Sequence, residues 1–125
     1  MPALAGVLRV VSLLGSFDRN RPVSSDPVHL LIRRDYIMER GASGDGPGTV
    51  FSEKYRHCCD VETATVAQVR GVWAYAEGSV VAHEHPTWGG APMDDTYREG
   101  MSHQRSDWAT WKKREPTVRQ WAART

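Results

Sequence analysis

The segment VWAYAEGSVVAHEHPTWGGAPMDD, residues 72–95, decides how the chain is read. Val72, Trp73 and Tyr75 are β-branched or aromatic, and Ser79, Val80 and Val81 resume an extended pattern after Glu77-Gly78, where glycine tolerates a positive φ at no steric cost. A β-hairpin is the expectation. Pro86, Gly89, Gly90 and Pro92 then forbid regular structure, so the loop bearing Trp88 must be held by packing rather than by a ladder. A large aromatic in such a loop anchors either its own sheet or a partner surface.

Working outward from this segment, the N-terminal side supplies a helix and more strands. Leu4, Val7, Leu8, Val11 and Leu14 recur at three- and four-residue spacing and predict an amphipathic helix over residues 1–17, with Val10, Leu13 and Phe17 broadening its stripe. So wide a stripe calls for two partners, this domain's sheet and a neighbouring protein, membrane surface or second copy, or else is all internal core. Gly15-Ser16 closes the helix and residues 19–22 read as a linker. Alternation of Val28, Leu30 and Ile32 with His29, Leu31 and Arg33 predicts a strand from Val28 to Tyr36, and residues 41–48 form a glycine-rich loop. Short strands are expected at residues 49–55, 60–66 and 70–76. Beyond Asp95, periodicity is poor apart from a turn of helix from Thr117, while Trp108, Trp111 and Trp121 stand among charges. That composition predicts an extended arm that buries on a partner rather than on itself. The fold class expected is α+β: an N-terminal amphipathic helix at residues 1–17, a small curled antiparallel β-sheet at 28–82, a Trp loop at 83–95, and a long extended C-terminal arm at 96–125.

Composition narrows the function. A chain of 125 residues is one domain with a modest core, and 40% hydrophobic with 25% charged residues is an ordinary balance for a water-soluble fold. Sixteen basic against fifteen acidic residues argue against a general polyanion binder, although residues 98–125 hold seven Lys/Arg and three Asp/Glu. Cys58-Cys59 are adjacent, which disfavours an internal bridge and points to a reducing compartment. The stretch from Leu4 to Leu14 is too short to span a bilayer and is interrupted by Arg9. One arginine and no acid in the first seventeen residues echo a mitochondrial targeting peptide, but the segment reads better as a retained helix.

No catalytic constellation stands out. On a strand His83 and His85 would face one side and could share a Zn²⁺ with Cys58, yet Pro86 bends the frame and neither Cys-x-x-Cys nor His-Glu-x-x-His is present. His57 beside Cys58 fails as base and nucleophile, because neighbouring strand side chains point to opposite faces. Gly44-x-Gly46-x-Gly48 lacks the following helix a phosphate cradle needs. Asp94-Asp95 with Glu84 lack a visible pocket. The expectation is no catalytic, cofactor-binding or metal-binding residues and no small-molecule substrate.

Trp73, Gly78-Ser79, Val81, Glu84, Trp88 and Asp94-Asp95, in this order and spacing, resemble the central block of the NADH dehydrogenase (ubiquinone) 1 alpha subcomplex subunit 12 family, accessory subunits of respiratory complex I. Leu4-Ala5-Gly6-Val7-Leu8-Arg9-Val10 is similar to that family's N-terminal Gly-x-Leu-Arg-Val helix, and Leu31-Ile32-Arg33-Arg34-Asp35-Tyr36 to its Asp-x-Tyr strand start. Two departures mark a divergent member. Ala82-His83-Glu84-His85-Pro86 stands where the family reads Pro-Pro-Glu-Trp-His, and residues 41–48 replace a Gly-Asn-Lys-Tyr-Tyr turn. The resemblance implies a non-catalytic subunit, peripheral on the matrix side of the mitochondrial inner membrane, that contacts neighbouring complex I subunits and binds no nucleic acid. Its interface would be drawn from Leu4, Leu8, Arg9, Val11, Trp73, Glu84, Trp88, Asp94, Asp95, Trp108, Trp111 and Trp121. Rival expectations are an assembly factor of the same family, a small Zn-dependent or thiol enzyme using His83, His85 and Cys58, and a ribonucleoprotein subunit using the basic tail.

Overall fold

The computed structural model describes residues 13–18, 29–81, 84–87 and 90–125. The class is α+β, as expected, but the elements are distributed differently. In chain order they are β1 (Leu13–Asp18), β2 (Leu30–Ile32), α1 (Arg34–Glu39), α2 (Asp60–Val69), β3 (Trp73–Val81), α3 (Asp95–Ser102) and α4 (Gln104–Arg124).

Of the predicted N-terminal helix, residues 13–17 belong instead to strand β1, and Leu4, Leu8, Arg9 and Val11 lie outside the described residues. β1 is the middle strand of a three-stranded sheet in the order β2-β1-β3. It runs antiparallel to β2, with Leu13 opposite Ile32, and parallel to β3, with Leu13 opposite Trp73. The sheet is therefore mixed rather than antiparallel. Glu77-Gly78 do not close a hairpin: β3 runs straight through them, and Gly78 is not among the positive-φ glycines. They fall instead where the register slips, Ser16 facing Ala76 and Phe17 facing Val80. An intended turn has become a bulge in a single edge strand.

The strand expected from Val28 to Tyr36 shrinks to three residues, because helix α1 begins at Arg34. Residues 49–55 are turns and bends. Residues 60–69, rich in Val and Thr, form helix α2 in place of a strand, with Asp60 and Glu62 in its first turn where carboxylates complement the helix dipole. Glu62 through Ala67 are all buried, so packing on every side overrides the β preference of Val61, Thr63, Thr65 and Val66. The C-terminal arm is not extended. Asp94 caps α3 by accepting the Tyr97 amide at 2.9 Å, and α4 runs for 21 residues, through Pro116, packed on α2.

Among the described residues two apolar clusters form the core. Tyr36, Ala42, Ala67 and Val72 pack with Leu30, Ile32 and Trp73 beside the sheet, and Tyr55, Val66, Trp111, Val118 and Ala122 pack between α2 and α4. Val66 and Ala67 are consecutive on α2, which makes that helix the partition between the clusters.

Candidate functional site

The most ordered polar arrangement joins the glycine-rich loop, α2 and α4. Glu62, only 1% exposed, has its Oε1 bonded by the Tyr55 hydroxyl at 3.0 Å and by Arg114 Nε at 2.9 Å. Its Oε2 accepts from Arg114 Nη2 and from the Gly44 amide, each at 3.2 Å. Arg114 Nη2 also reaches Asp45 Oδ1 at 3.0 Å. Burial and then the Glu62 carboxylate push the Tyr55 hydroxyl up, and hydrogen bonding to Glu62 holds the Arg114 guanidinium charged. Burial alone would raise Asp45, but Ser52 and Arg114 outweigh it and hold the carboxyl low. Gly44 is required by close approach, since a Cβ there would sit 2.9 Å from a Val118 methyl. Four donors occupy the Glu62 carboxylate inside the fold, so this group acts as a structural anchor.

Beside the anchor lies a cleft of about 340 Å³ lined by Gly44, Lys113, Arg114, Thr117, Val118 and Trp121. It has an apolar floor in Val118 and Trp121 and an ammonium at its rim in Lys113.

A second buried carboxylate fastens the loop before α2. Asp107, 3% exposed, accepts the backbone N–H groups of Arg56, His57 and Cys58 at 3.1, 2.7 and 2.9 Å. Burial pushes its pKa up, but the three backbone donors prevail and hold it below the usual carboxylate value. Arg70, 8% exposed, ties the α1 end to the end of α4. Its Nη1 donates to the Tyr36 hydroxyl at 2.9 Å and the Gly41 carbonyl at 2.5 Å, and its Nη2 donates to Thr125 Oγ1 at 2.6 Å. Its guanidinium carbon stands 4.6 Å from the Trp121 ring centre.

The residues singled out in the sequence do not converge on one place. Trp73 is part-buried against the sheet-side cluster, and Trp111, 5% exposed, is in the helix-side core. Trp121 packs part-buried on that same cluster, so of the three C-terminal tryptophans Trp108, at 39%, is the most exposed. Glu84 is exposed and its carbonyl accepts the Tyr97 hydroxyl at 3.2 Å, while Asp95 pairs with Arg98 at 2.8 Å. Asp94 serves as the α3 cap. Trp88 and His83 lie outside the described residues. His85 is buried, its ring edge-on to Tyr97 at 4.9 Å, and its Nδ1 accepts the Thr87 amide. Cys58 and Cys59 are not disulfide-bonded, and burial followed by the Asp60 charge raises the Cys59 pKa. Among the described residues no group of three or more His, Cys, Asp or Glu is placed to hold a metal ion. Nor, among them, is any helix long and apolar enough to cross a membrane.

Sequence reasoning missed Glu62, Arg114, Asp107 and Arg70. The available signal was spacing: residues 107, 111, 114, 118 and 122 share one helix face, with two charges among the apolar positions. Comparison with protein-family models, curated proteins and solved structures finds no match for the chain.

Proposed function

We propose that the protein is a non-catalytic docking subunit of a larger assembly. The observation that carries this is α3, an eight-residue amphipathic helix whose apolar residues Tyr97 and Met101 are only part-buried by the described fold. Met93, two residues before it, and Trp108, near the start of α4, are 40% and 39% exposed. A helix with an apolar side gains its stability by covering that side; here His85 and the Glu84 carbonyl meet Tyr97, and a neighbouring chain would complete the cover. The polar groups of the interior, by contrast, are spent on structure: Glu62 on Arg114, Asp107 on backbone amides, Arg70 on carbonyls and hydroxyls.

The assembly itself is taken from the resemblance of Trp73, Gly78-Ser79, Val81, Glu84, Trp88 and Asp94-Asp95 to the complex I accessory family. On that basis the protein is a resident subunit of mitochondrial complex I, peripheral on the matrix side of the inner membrane and touching neighbouring subunits. A tagged copy should comigrate with NADH dehydrogenase activity on a native gel and recover the flavin and iron–sulfur subunits. Recovery with assembly intermediates alone would make it an assembly factor, and absence from both would remove the complex I assignment.

A further inference from the structure

The buried face of α4 is set by Asp107, Trp111, Arg114, Val118 and Ala122. On the opposite side of the same helix a second seam runs the length of the element. Arg105, Lys112 and Arg119 repeat every seven residues, and Ala109, Pro116 and Ala123 repeat every seven residues four positions later. All six are exposed. Positions four and three apart share one face of a helix, so the cations and the small residues form one strip, with the cations about 10.5 Å apart along it. The small side chains let a second backbone approach closely, while the long cationic ones reach across it. Trp108, 39% exposed, flanks the seam.

The charge of this face is unbalanced. Arg119 pairs with Glu115 at 2.9 Å, whereas Arg105 and Lys112 have no ion-pair partner among the described residues. Three cations face one carboxylate. We propose that this outer face of α4 docks an acidic amphipathic helix of a partner protein, whose carboxylates recur every seven residues and meet Arg105, Lys112 and Arg119 in turn. Charge complementarity with that periodicity selects a helix over the other occupants. Single-stranded nucleic acid stacks successive bases on successive aromatics, and the seam is flanked by one. A lipid surface needs an apolar face to bury, and this face carries alanines, a proline and cations. The proposal rests on the reading of the chain as a docking subunit and names the chemistry of the partner.

The test uses the full chain and a labelled synthetic helix of three heptads, with Glu once in each heptad among Ala and Leu. A permuted peptide of identical composition places the same carboxylates irregularly. Fluorescence anisotropy at low salt should show the regular peptide binding at least tenfold more tightly than the permuted one. Lys112→Glu should weaken it tenfold or more, Lys112→Arg should retain it, and the melting temperature should stay unchanged in both. Equal binding of the two peptides, indifference to Lys112→Glu, or tighter binding of polyuridylate or of phosphatidylserine vesicles would each overturn the proposal. The docking-subunit reading is scored separately on the native gel. A Lys112→Glu chain that comigrates normally with the assembly removes the α4 seam and leaves that reading standing, while peptide binding without comigration does the reverse.

Discussion

At the scale of single residues, two buried carboxylates hold the fold together by different means. Glu62 faces a guanidinium that makes its burial tolerable; removing Arg114 strands the carboxylate, which costs about 3–5 kcal/mol in comparable buried pairs. Asp107 has no such cation on its oxygens and instead gathers three consecutive backbone amides, the arrangement that most strongly favours an ionised carboxyl. Its folded pKa is below its unfolded one, near 4. The sign follows directly. Its contribution to stability is complete above the unfolded value and fades as pH falls through the folded one. Asp107→Asn should therefore lower the melting temperature near neutral pH, by an amount that shrinks as the pH is taken from about 5 toward about 2. Thermal melts of both proteins across that range measure it. A gap that stays constant down to the lowest pH would mean the carboxylate charge contributes nothing and only its shape matters.

At the scale of elements, α4 decides whether the rest folds. It supplies Trp111, Val118 and Ala122 to the helix-side cluster and both polar anchors, Asp107 and Arg114. Truncation after Ser102 should abolish cooperative melting, because it uncovers Val66 and Tyr55 and removes the cation on which the burial of Glu62 depends. A truncated chain with a cooperative melt close to that of the full chain would restore the picture of a dispensable arm. The sequence suggested that dispensable arm for a physical reason: an amphipathic pattern shows itself through apolar positions, and on α4 two of the five inward positions are charged. Their neutralisation by Glu62 and by loop amides is a tertiary fact that spacing alone does not display. α2 hid itself the opposite way, since its β-branched run imitates a strand and only burial on all sides makes it a helix. What was legible was the α+β class, the extended residues on either side of Glu77-Gly78, the glycine-rich loop and a change of structure at Asp95. β1 was hidden because Leu13-Leu14-Gly15-Ser16-Phe17 satisfies a helical stripe and a strand equally, and pairing with two partners settles it.

At the scale of the whole molecule, the two apolar clusters are too small to be stable separately, so what couples them matters. α2 is one coupling, through Val66 and Ala67. Arg70, immediately after that helix, is the other: its fork holds the Tyr36 hydroxyl and the Gly41 carbonyl on the sheet side and Thr125 at the end of α4, with Trp121 stacked against it. The guanidinium suits this task because five donors in one plane serve several acceptors at once, which an ammonium does not. Its Nε is buried without a partner, so the site is under-satisfied and its value lies in the contacts of the two terminal nitrogens. Arg70→Leu keeps apolar bulk but removes those contacts, leaving the Gly41 and Arg40 carbonyls short of a donor. The turn at Arg40–Ala42 and the last turn of α4 should then open more often, while α4 near Asp107 and Trp111 keeps its protection. Hydrogen exchange read by mass spectrometry would show amide protection at residues 40–42 falling on the order of tenfold or more, with peptides covering residues 107–118 little changed. A uniform fall across both regions would mean that Arg70 adds to global stability without tying one cluster to the other, and α2 alone would then carry the coupling.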